Sequence, residues 1–317
     1  MELKIPYRIN IAGAYLDCIE EPVVTATIDK YLTFQFKERF DDEVWVYSEE
    51  FGKSYKTDIS PKANNQKDWT RYVDGCITVF TRNNMRLFKG CDIVVKNDLP
   101  SGIGISSSAA FIIGIINCLS YANKFWLSTD TIASFGYWVE HDYLNIPCGR
   151  MDFKAVSHAP GLWKIDTANI SLEKDYLLDN KHYTGLLLYK EQHEHLTDEK
   201  FINIVRDIKD AKYNFRNNIS MQYINFEKSI VDGIVWEAQN DKLNEGYLGS
   251  FLYSSYVNIK ANILNEYPHI DKPEGVYGSK LVGSGLKGAS FVLINPDFKD
   301  ELIKYYEKEY NVVECQL

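Results

Sequence analysis

The sequence predicts an α+β protein of two domains. Its 317 residues are more than one hydrophobic core usually organises. Segments rich in β-branched and aromatic residues open the chain, whereas long helical patterns dominate its second half. Strand and helix patterns occur in both halves, and we find no internal repeat. We therefore expect one domain at residues 1–180 and a second domain at residues 181–317.

In the first half, extended segments precede two buried helices. Residues 2–37 are typical of strands, and CDIVVKN at 91–97 predicts another. SAAFIIGIINCLSYANKF, at residues 108–125, is apolar nearly all round, which predicts a buried helix. Residues 129–144 predict a second helix with a Thr or Asp as its N-cap. Strand-like pieces and polar turns at 160–181 indicate the domain boundary.

The second half begins at GLLLYKE and is dominated by helical patterns. It closes with a strand, a charged helix and a last strand. The predicted helices span residues 197–216, 220–240, 246–266 and 297–310, and the predicted strands span 290–296 and 311–317.

Composition excludes several classes of protein. The formal charge is −9, from 35 basic and 44 acidic residues, so a nucleic-acid partner is disfavoured. The longest apolar run, FIIGII at 111–116, is too short to span a membrane, and the start has no signal-peptide pattern. Six scattered cysteines without a CxxC pair disfavour a disulfide framework or a zinc site. We therefore expect a cytoplasmic protein that contacts neither membrane nor nucleic acid.

The stretch PSGIGISSSAA, at residues 100–110, predicts an anion site. Backbone amides in a glycine-rich turn and at a helix N-terminus point toward the same place. Gly102 and Gly104 can adopt positive φ and let the backbone approach a phosphate, and a serine hydroxyl at the helix start can bind Mg²⁺. The spacing differs from the P-loop pattern, since no GK[ST] follows. An ordinary capped helix explains this stretch equally well when it is taken alone.

A second glycine cluster strengthens the phosphate interpretation. GVYGSKLVGSGLKGAS, at residues 275–290, carries five glycines between a helical region and a strand. A β-turn with a bulge accounts for two or three of them, but not for five. Two such loops predict a nucleotide and its substrate held between the two halves.

Charged residues suited to phosphoryl transfer accompany these loops. The reaction needs a base or orienting carboxylate, a cation near the moving phosphoryl group, and metal ligands. PYRINIAGAYLD and VEHDYLNIPCGRMDFKA offer Arg8, Asp17, Glu140 and Asp152. A single aspartate after a methionine is more often a surface or capping residue, so Asp152 alone does not identify a catalytic site.

Together, these motifs resemble the GHMP kinase superfamily, and its galactokinase branch most of all. The resemblance spans residues 6 to 290 and rests on ordered motifs at compatible spacing. The matching segments are PYRINIAG at 6–13, WTRYVDG at 69–75, the serine loop from Pro100 to Ala109, CGRMD at 148–152 preceded by Glu140, and GVYGSKLVGSG at 275–285. It implies a two-domain fold with the active site in the cleft between the domains.

The resemblance also implies roles for individual residues, with ATP and Mg²⁺ as cofactors. Asp152 would accept or orient the proton of the sugar hydroxyl, and Arg8 would stabilise charge near the γ-phosphate. Ser108 and Glu140 would hold Mg²⁺. The nucleotide phosphates would lie along a loop formed by Pro100, Gly102, Ile103, Gly104, Ser106, Ser107 and Ser108. The sugar would be bound by Ala14, Tyr15, Asp17, Gly149, Gly283, Gly285 and Lys287, with Asp17 accepting hydrogen bonds from its hydroxyls.

Departures from the galactokinase pattern concern the sugar. The branch has Glu-His-x-Asp after its first motif, whereas this chain has Ala14, Tyr15, Leu16 and Asp17. The last glycine loop gains Lys287. Both features resemble plant galacturonokinases, whose substrate carries a carboxylate at C6. Loss of the glutamate would remove a repulsion worth several kcal/mol, roughly. We expect D-galacturonate first and D-galactose or another C6-modified sugar second.

Two rival functions stay open from the sequence. A ligand-sensing regulator without turnover is one, but the intact serines, Arg8 and Asp152 favour an enzyme. A small-alcohol kinase of the homoserine or mevalonate type is the other, and CGRMD disfavours it. Trp69 and Tyr72 are candidates for the site, although aromatic residues more often belong to the core. HEH at 193–195 is typical of a solvated loop.

Overall fold

The computed structural model describes residues 1–64, 68–169, 171–190, 198–214, 218–264, 269–283, 285 and 289–317. In these ranges the chain forms eleven strands and eight α-helices. The strands are β1 Glu2–Ala12, β2 Val23–Glu38, β3 Glu43–Ser48, β4 Lys53–Asp58, β5 Cys91–Asn97, β6 Gly161–Ile165, β7 Tyr176–Asp179, β8 Thr184–Tyr189, β9 Val276–Leu281, β10 Ser290–Ile294 and β11 Asn311–Gln316. The helices are α1 Thr70–Arg82, α2 Ser107–Ala122, α3 Thr129–Trp138, α4 Met151–Ala155, α5 Asp198–Asn214, α6 Asn218–Gln239, α7 Glu245–Asn262 and α8 Lys299–Tyr306.

The strands form two separate sheets. The first has seven strands in the order β4-β3-β5-β2-β6-β7, with β1 paired to β2. The second has four strands in the order β11-β8-β10-β9. Every pair is antiparallel except β3 with β5. This arrangement confirms the predicted α+β class. The proposed boundary at residue 180 lies between β7 and β8, which belong to different sheets, and it stays a prediction.

Helix α2 is the buried centre of the first half, as its composition predicts. It packs against β1 and β2 on one side and against α1 and α3 on the other. Gly114 makes the contact with the sheet possible, because a Cβ there would lie 2.0 Å from the Phe34 ring. Ile112, Ile113, Ile115 and Ile116 are all buried around the helix. An apolar surface on every side of a helix is stable only when every side is covered.

Some predicted boundaries were wrong, and local contacts explain why. Helix α2 ends at Ala122 rather than at residue 125, because the Asn123 amide bonds to the carbonyls of Lys89 and Leu119. Lys124 then adopts a left-handed conformation with φ 58°. The N-cap of α3 is Ser128, whose Oγ accepts from the Thr131 amide, rather than a Thr or Asp.

Other elements differ from the sequence prediction or were missed. The two extended segments expected within residues 2–37 are β1 and β2, but the short 3₁₀ segment between them, Leu16–Ile19, had no prediction. The predicted helix 129–144 is α-helical only from Thr129 to Trp138, and it continues as a π-helical turn from Val139 to Tyr143. Strands β3 and β4 and helix α1 had no prediction. The alternation in EVWVYS, with every second residue buried, is a signal that could have found β3.

No helix in the described ranges is long and apolar enough to cross a membrane. All six cysteines are free thiols, four of them buried. The HEH tripeptide lies outside the described residues.

Candidate active site

An ion pair between Arg8 and Asp152 forms the centre of the candidate site. Arg8 donates from Nε and Nη2 to the same carboxylate oxygen, Oδ1, at 2.7 and 2.5 Å. Its Nη1 donates to the carbonyl of Gly104 at 3.1 Å. The Arg8 side chain is 4% exposed and that of Asp152 28%. One buried guanidinium therefore connects the predicted base to the glycine-serine loop.

Local irregularities aim these two side chains at each other. Arg8 lies on β1 between two shifts of register in its ladder with β2, one after Pro6 and one after Asn10. Such bulges turn a strand locally and redirect its side chains. Asp152 lies in the first turn of α4, a helix of only five residues. A helix this short needs tertiary anchors to hold its position.

Lys154 supplies one such anchor, which the sequence reasoning missed. Its side chain is 1% exposed, and the Asp175 carboxylate that it contacts is fully buried. The ammonium also donates to three backbone carbonyls, those of Asp166 at 2.5 Å, Asn169 at 3.0 Å and Ser171 at 2.9 Å. A charge buried in this way is stable only when paired and hydrogen-bonded throughout. The helix that carries Asp152 is thereby fixed to the 166–175 segment.

The serine loop has the geometry expected of an anion site. Gly102 and Gly104 have positive φ, at 83° and 94°, and Ser106 is left-handed at 64°. The Oγ atoms of Ser106 and Ser107 are buried without a hydrogen-bond partner in the described part of the chain. Buried hydroxyls normally have partners, so these two fit a phosphate at the N-terminus of α2.

Two other residues of the predicted phosphate loop have different surroundings. Pro100 is exposed at the start of the loop, and Ile103 is 1% exposed within the hydrophobic core. Only the backbone of Ile103 is therefore available to a nucleotide.

Ser108 and Glu140, the predicted Mg²⁺ ligands, are brought together. The Ser108 hydroxyl hydrogen-bonds the Glu140 carboxylate, which lies in the π-helical turn. Burial raises the pKa of Glu140 to about 7, and the Ser108 hydrogen bond opposes that rise. Mg²⁺ prefers hydroxyl and carboxylate oxygens and usually keeps phosphate or water ligands as well. In the described ranges no cluster of three or more His, Cys, Asp or Glu could hold a metal. The pair fits Mg²⁺ only together with oxygens from a nucleotide.

The two glycine loops touch at Gly104 and Gly283. A Cβ on Gly104 would lie 2.9 Å from the Val282 carbonyl, and one on Gly283 would lie 2.7 Å from the Gly104 carbonyl. The backbones can approach this closely only because both residues are glycine. Gly285 follows with φ 73°, and its amide donates to Val282. Lys287 lies outside the described residues.

Asp17 and Gly149 form the candidate sugar end of the site. A Cβ at residue 149 would lie 2.2 Å from Oδ2 of Asp17, so only glycine leaves room for that carboxylate. Burial, and then the nearby Asp152 carboxylate, raises the pKa of Asp17 to about 7. These two carboxylates and the Arg8 guanidinium therefore act on one another electrostatically.

Ala14 and Tyr15 occupy a different environment from the one predicted for direct sugar ligands. Their side chains are 3% and 5% exposed and pack in a hydrophobic cluster with the second half. The Tyr15 ring lies 6.1 Å from that of Phe201 on α5. Their roles as sugar ligands stay predictions. Because their side chains are buried, they support the turn before Asp17 by packing against the second half.

Trp69 and Tyr72 pack as core aromatics. Both rings make edge contacts with Phe111, with centroids 6.0 and 6.4 Å apart. Trp69 also stacks on Phe51. These contacts favour the core interpretation of the two residues.

Comparisons with known proteins agree with this fold. Residues 71–159 match the family model of the GHMP kinases N terminal domain. The galactokinase of Pyrococcus furiosus is 24% identical over 93% of this chain and 89% of its own length, and that of Thermotoga maritima is 25% identical over 98% and 95%. Among solved structures, Lactococcus lactis galactokinase complexed with galactose aligns with a TM-score of 0.86 at 19% identity, covering 100% of this chain and 93% of that one. Methanococcus jannaschii mevalonate kinase gives 0.78 at 21% identity, covering 100% and 98%.

The fold and the comparisons indicate a phosphotransferase with the two-domain GHMP kinase fold, whereas the roles of the site residues stay predictions. Galactokinases are among its homologues along nearly the whole chain, so within this class the protein is galactokinase-like.

Proposed function

We propose that the protein is an ATP-dependent sugar 1-kinase, which transfers the γ-phosphoryl group to the anomeric hydroxyl of a hexose or hexuronic acid. The observation that carries the proposal is the three-way contact of Arg8 with Asp152 and the Gly104 carbonyl. It joins a candidate base to a candidate phosphate loop through one buried cation. Phosphoryl transfer needs these two groups side by side.

We propose different tasks for the two oxygens of Asp152. Both Arg8 N–H groups donate to Oδ1, and the described contacts leave Oδ2 available. Oδ2 can then accept the proton of a sugar hydroxyl while Arg8 holds the carboxylate plane in place. The Arg8 charge also lies beside the loop where negative charge develops on the phosphoryl oxygens.

The remaining residues bind and orient the reactants. Ser106, Ser107 and the loop amides would hold the nucleotide phosphates, and Ser108 with Glu140 would hold Mg²⁺. Bound Mg²⁺ supplies charge neutralisation on the phosphates. Asp17, which lies near Asp152, would accept hydrogen bonds from sugar hydroxyls.

The identity of the sugar is the finer part of the proposal. The names of the relatives favour D-galactose. We nevertheless propose D-galacturonate as the preferred substrate, because residues 14–17, which we call the sugar loop, lack the glutamate of the galactokinase pattern and face an additional cation. That cation is Lys209 on α5, a helix that packs against the 3₁₀ segment Leu16–Ile19.

Contacts of α5 support this assignment of Lys209. Lys212, one turn further along the same helix face, donates to the Ile19 carbonyl at 2.5 Å. Burial raises the pKa of the Cys18 thiol, and the Lys209 ammonium opposes that rise, so it lies near the sugar loop. Among described residues, Lys209 forms no ion pair. A sugar carboxylate next to Asp17 and Asp152 requires a cation of this kind.

A kinase assay over hexoses and uronic acids, with NMR of the product, tests the proposal. We expect a 1-phosphate product, and a kcat/KM for galacturonate at least about tenfold above that for galactose. Lys209→Met should lower kcat/KM for galacturonate selectively, whereas Lys304→Met, which removes an exposed lysine from α8, should not. Preference for galactose would refute the uronate part and leave the kinase. No turnover of any sugar would favour a non-catalytic sensor.

Ala14→Glu is a weaker test of the same idea. The Ala14 side chain is buried against the second half, so a glutamate there would disturb folding as well as sugar binding. Lys287 stays a predicted sugar or phosphate contact, which Lys287→Gly would test through the KM values for sugar and for ATP.

A further inference from the structure

A cluster of buried polar side chains from the second half grips the turn that follows β1. The cluster consists of Tyr223 and Glu227 on α6 and Lys280 on β9, and we call it the polar clasp. These side chains belong to residues that are 0%, 0% and 1% exposed. None of the three takes part in the proposed phosphoryl transfer.

Each member of the polar clasp holds the main chain or a side chain of residues 10–14. Tyr223 donates its hydroxyl to the Ala14 carbonyl at 2.5 Å. Glu227 accepts from the Gly13 amide at 2.8 Å. Lys280 donates to Oδ1 of Asn10 at 2.6 Å and to the Ile11 carbonyl at 3.3 Å. Four of the five positions from 10 to 14 are thus tied to the other half of the molecule.

Further contacts hold the polar clasp rigid. Ser255 and Asn258 on α7 both donate to the Glu227 carboxylate, at 3.0 Å each. Burial lowers the pKa of Lys280 to about 8, and the charge of Glu227 opposes that fall. Buried charges with so many partners cannot shift without leaving one of them unsatisfied.

The clasped turn lies between the two functional parts of the first half. Arg8 is two residues before Asn10 on the same face of β1, and Asp17 is four residues after Gly13. Gly13 has φ 81°, and a Cβ there would lie 3.0 Å from Cγ1 of Val23, so the turn has little room on that side. The position of Asp17 relative to the Arg8–Asp152 pair therefore depends on how residues 10–14 are held.

We propose that the polar clasp is a positioning device. Through it, the second half sets the distance between the Asp17 side chain, which would bind the sugar, and the Arg8–Asp152 pair. The proposal rests on the sugar-binding role given to Asp17 above. The members of the polar clasp are positioning residues, since they would act on Asp17 through the turn at residues 10–14. Small misplacements of a reacting group lower rates strongly, so loss of one hydrogen bond here should affect sugar use more than stability.

Tyr223→Phe is the test, because it deletes one hydroxyl that donates to a backbone carbonyl. The matched control is Tyr306→Phe. Tyr306 lies on α8, is 3% exposed and donates its hydroxyl to the Asp271 carbonyl at 2.7 Å. We expect the two variants to lose similar Tm. Only Tyr223→Phe should lower kcat/KM for the sugar, by about tenfold, with the KM for ATP within about twofold of the wild type.

A second measurement is independent of turnover. Cys18 follows Asp17 and is partly buried, whereas Cys76 is fully buried in the first-half core. Iodoacetamide labelling, mapped by peptide mass spectrometry, should be at least about threefold faster at Cys18 in Tyr223→Phe than in Tyr306→Phe. Labelling at Cys76 reports global unfolding and should be equal in the two variants.

The outcomes separate the two proposals. Equal Cys18 labelling and equal kinetics in both variants would overturn the polar clasp. A wild-type protein that phosphorylates no sugar would refute the proposed function, while the labelling would still decide whether the turn is held by the clasp. Where Tyr223→Phe does not fold, Glu227→Gln takes its place. The Glu227 carboxylate accepts from Gly13 and Ser255 at Oε2 and from Asn258 at Oε1, so a glutamine NH2 group leaves at least one of these donors unpaired. The same changes in Cys18 labelling and in kcat/KM for the sugar are then expected.

Discussion

Replacement of Asp17 by asparagine should stabilise the protein while it impairs sugar use. Asp17 is a carboxyl group whose pKa is raised to about 7 by burial and by the Asp152 carboxylate. At neutral pH its charge is therefore partly unfavourable in the folded state. Asparagine has nearly the same shape and resembles the protonated acid, so the unfavourable part disappears.

The magnitude follows from the pKa difference. A rise in the pKa of Asp17 from the ordinary 3.8 to about 7 lowers the free energy of unfolding by about 4 kcal/mol at a pH where Asp17 is ionised in both the folded and the unfolded state. Because Asp17 is partly accessible to solvent, we expect about 1–2 kcal/mol. The pKa is higher in the folded state, so between pH 4 and 7 the folded protein binds more protons than the unfolded chain. Stability contributed by the protonated group is thus lost as the pH rises toward 7.

Urea unfolding from pH 4.5 to 8 measures this effect. The free energy of unfolding of Asp17→Asn minus that of the wild type should be smallest at pH 4.5, grow until about pH 7 and then level off. Asp241→Asn removes the same charge from an exposed position after α6 and is the control. At pH 7.5, kcat/KM of Asp17→Asn for the sugar should fall at least about tenfold.

Two results would refute the reasoning. One is a stability gain that does not change with pH, since titration of a buried carboxyl group must produce the dependence. The other is an equal gain in Asp241→Asn, which would assign the effect to net charge alone. Full activity of Asp17→Asn would separately remove Asp17 from sugar binding.

Further variants test the catalytic pair, the metal ligands and the glycine beside Asp17. Asp152→Asn should lose turnover at least about a hundredfold with unchanged ATP affinity by calorimetry, and near-normal turnover would exclude it as the base. Ser108→Ala should raise the Mg²⁺ concentration needed for half-maximal rate more than the KM for sugar, and unchanged Mg²⁺ dependence at equal Tm would assign the serine to helix capping. Gly149→Ala should weaken sugar binding and cost about 1–3 kcal/mol, because its Cβ would lie 2.2 Å from Asp17 Oδ2; normal kinetics would contradict the close contact.

Local patterns determined most of the secondary structure. The apolar run of α2 and the helical periodicity of α5, α6 and α7 are properties of consecutive residues, so the sequence predicts them within a few positions. Strand β4 is polar and short, and its conformation depends on pairing with β3, which no local pattern records. The end of α2 likewise depends on a side-chain contact between Asn123 and Lys89.

The candidate site shows the same division. Motif spacing identifies Arg8, Asp152 and the serine loop, because each motif is a short stretch with a recognisable turn or charge. The sequence by itself therefore determined the fold class and indicated which residues make up the candidate site. It could not identify Glu227 or Lys280, since a charged residue within a helical or strand pattern is ordinarily taken to face solvent. Only the tertiary structure decided that these two are buried, because burial depends on which distant segments cover a residue, and here α6 and β9 cover the turn between Arg8 and Asp17.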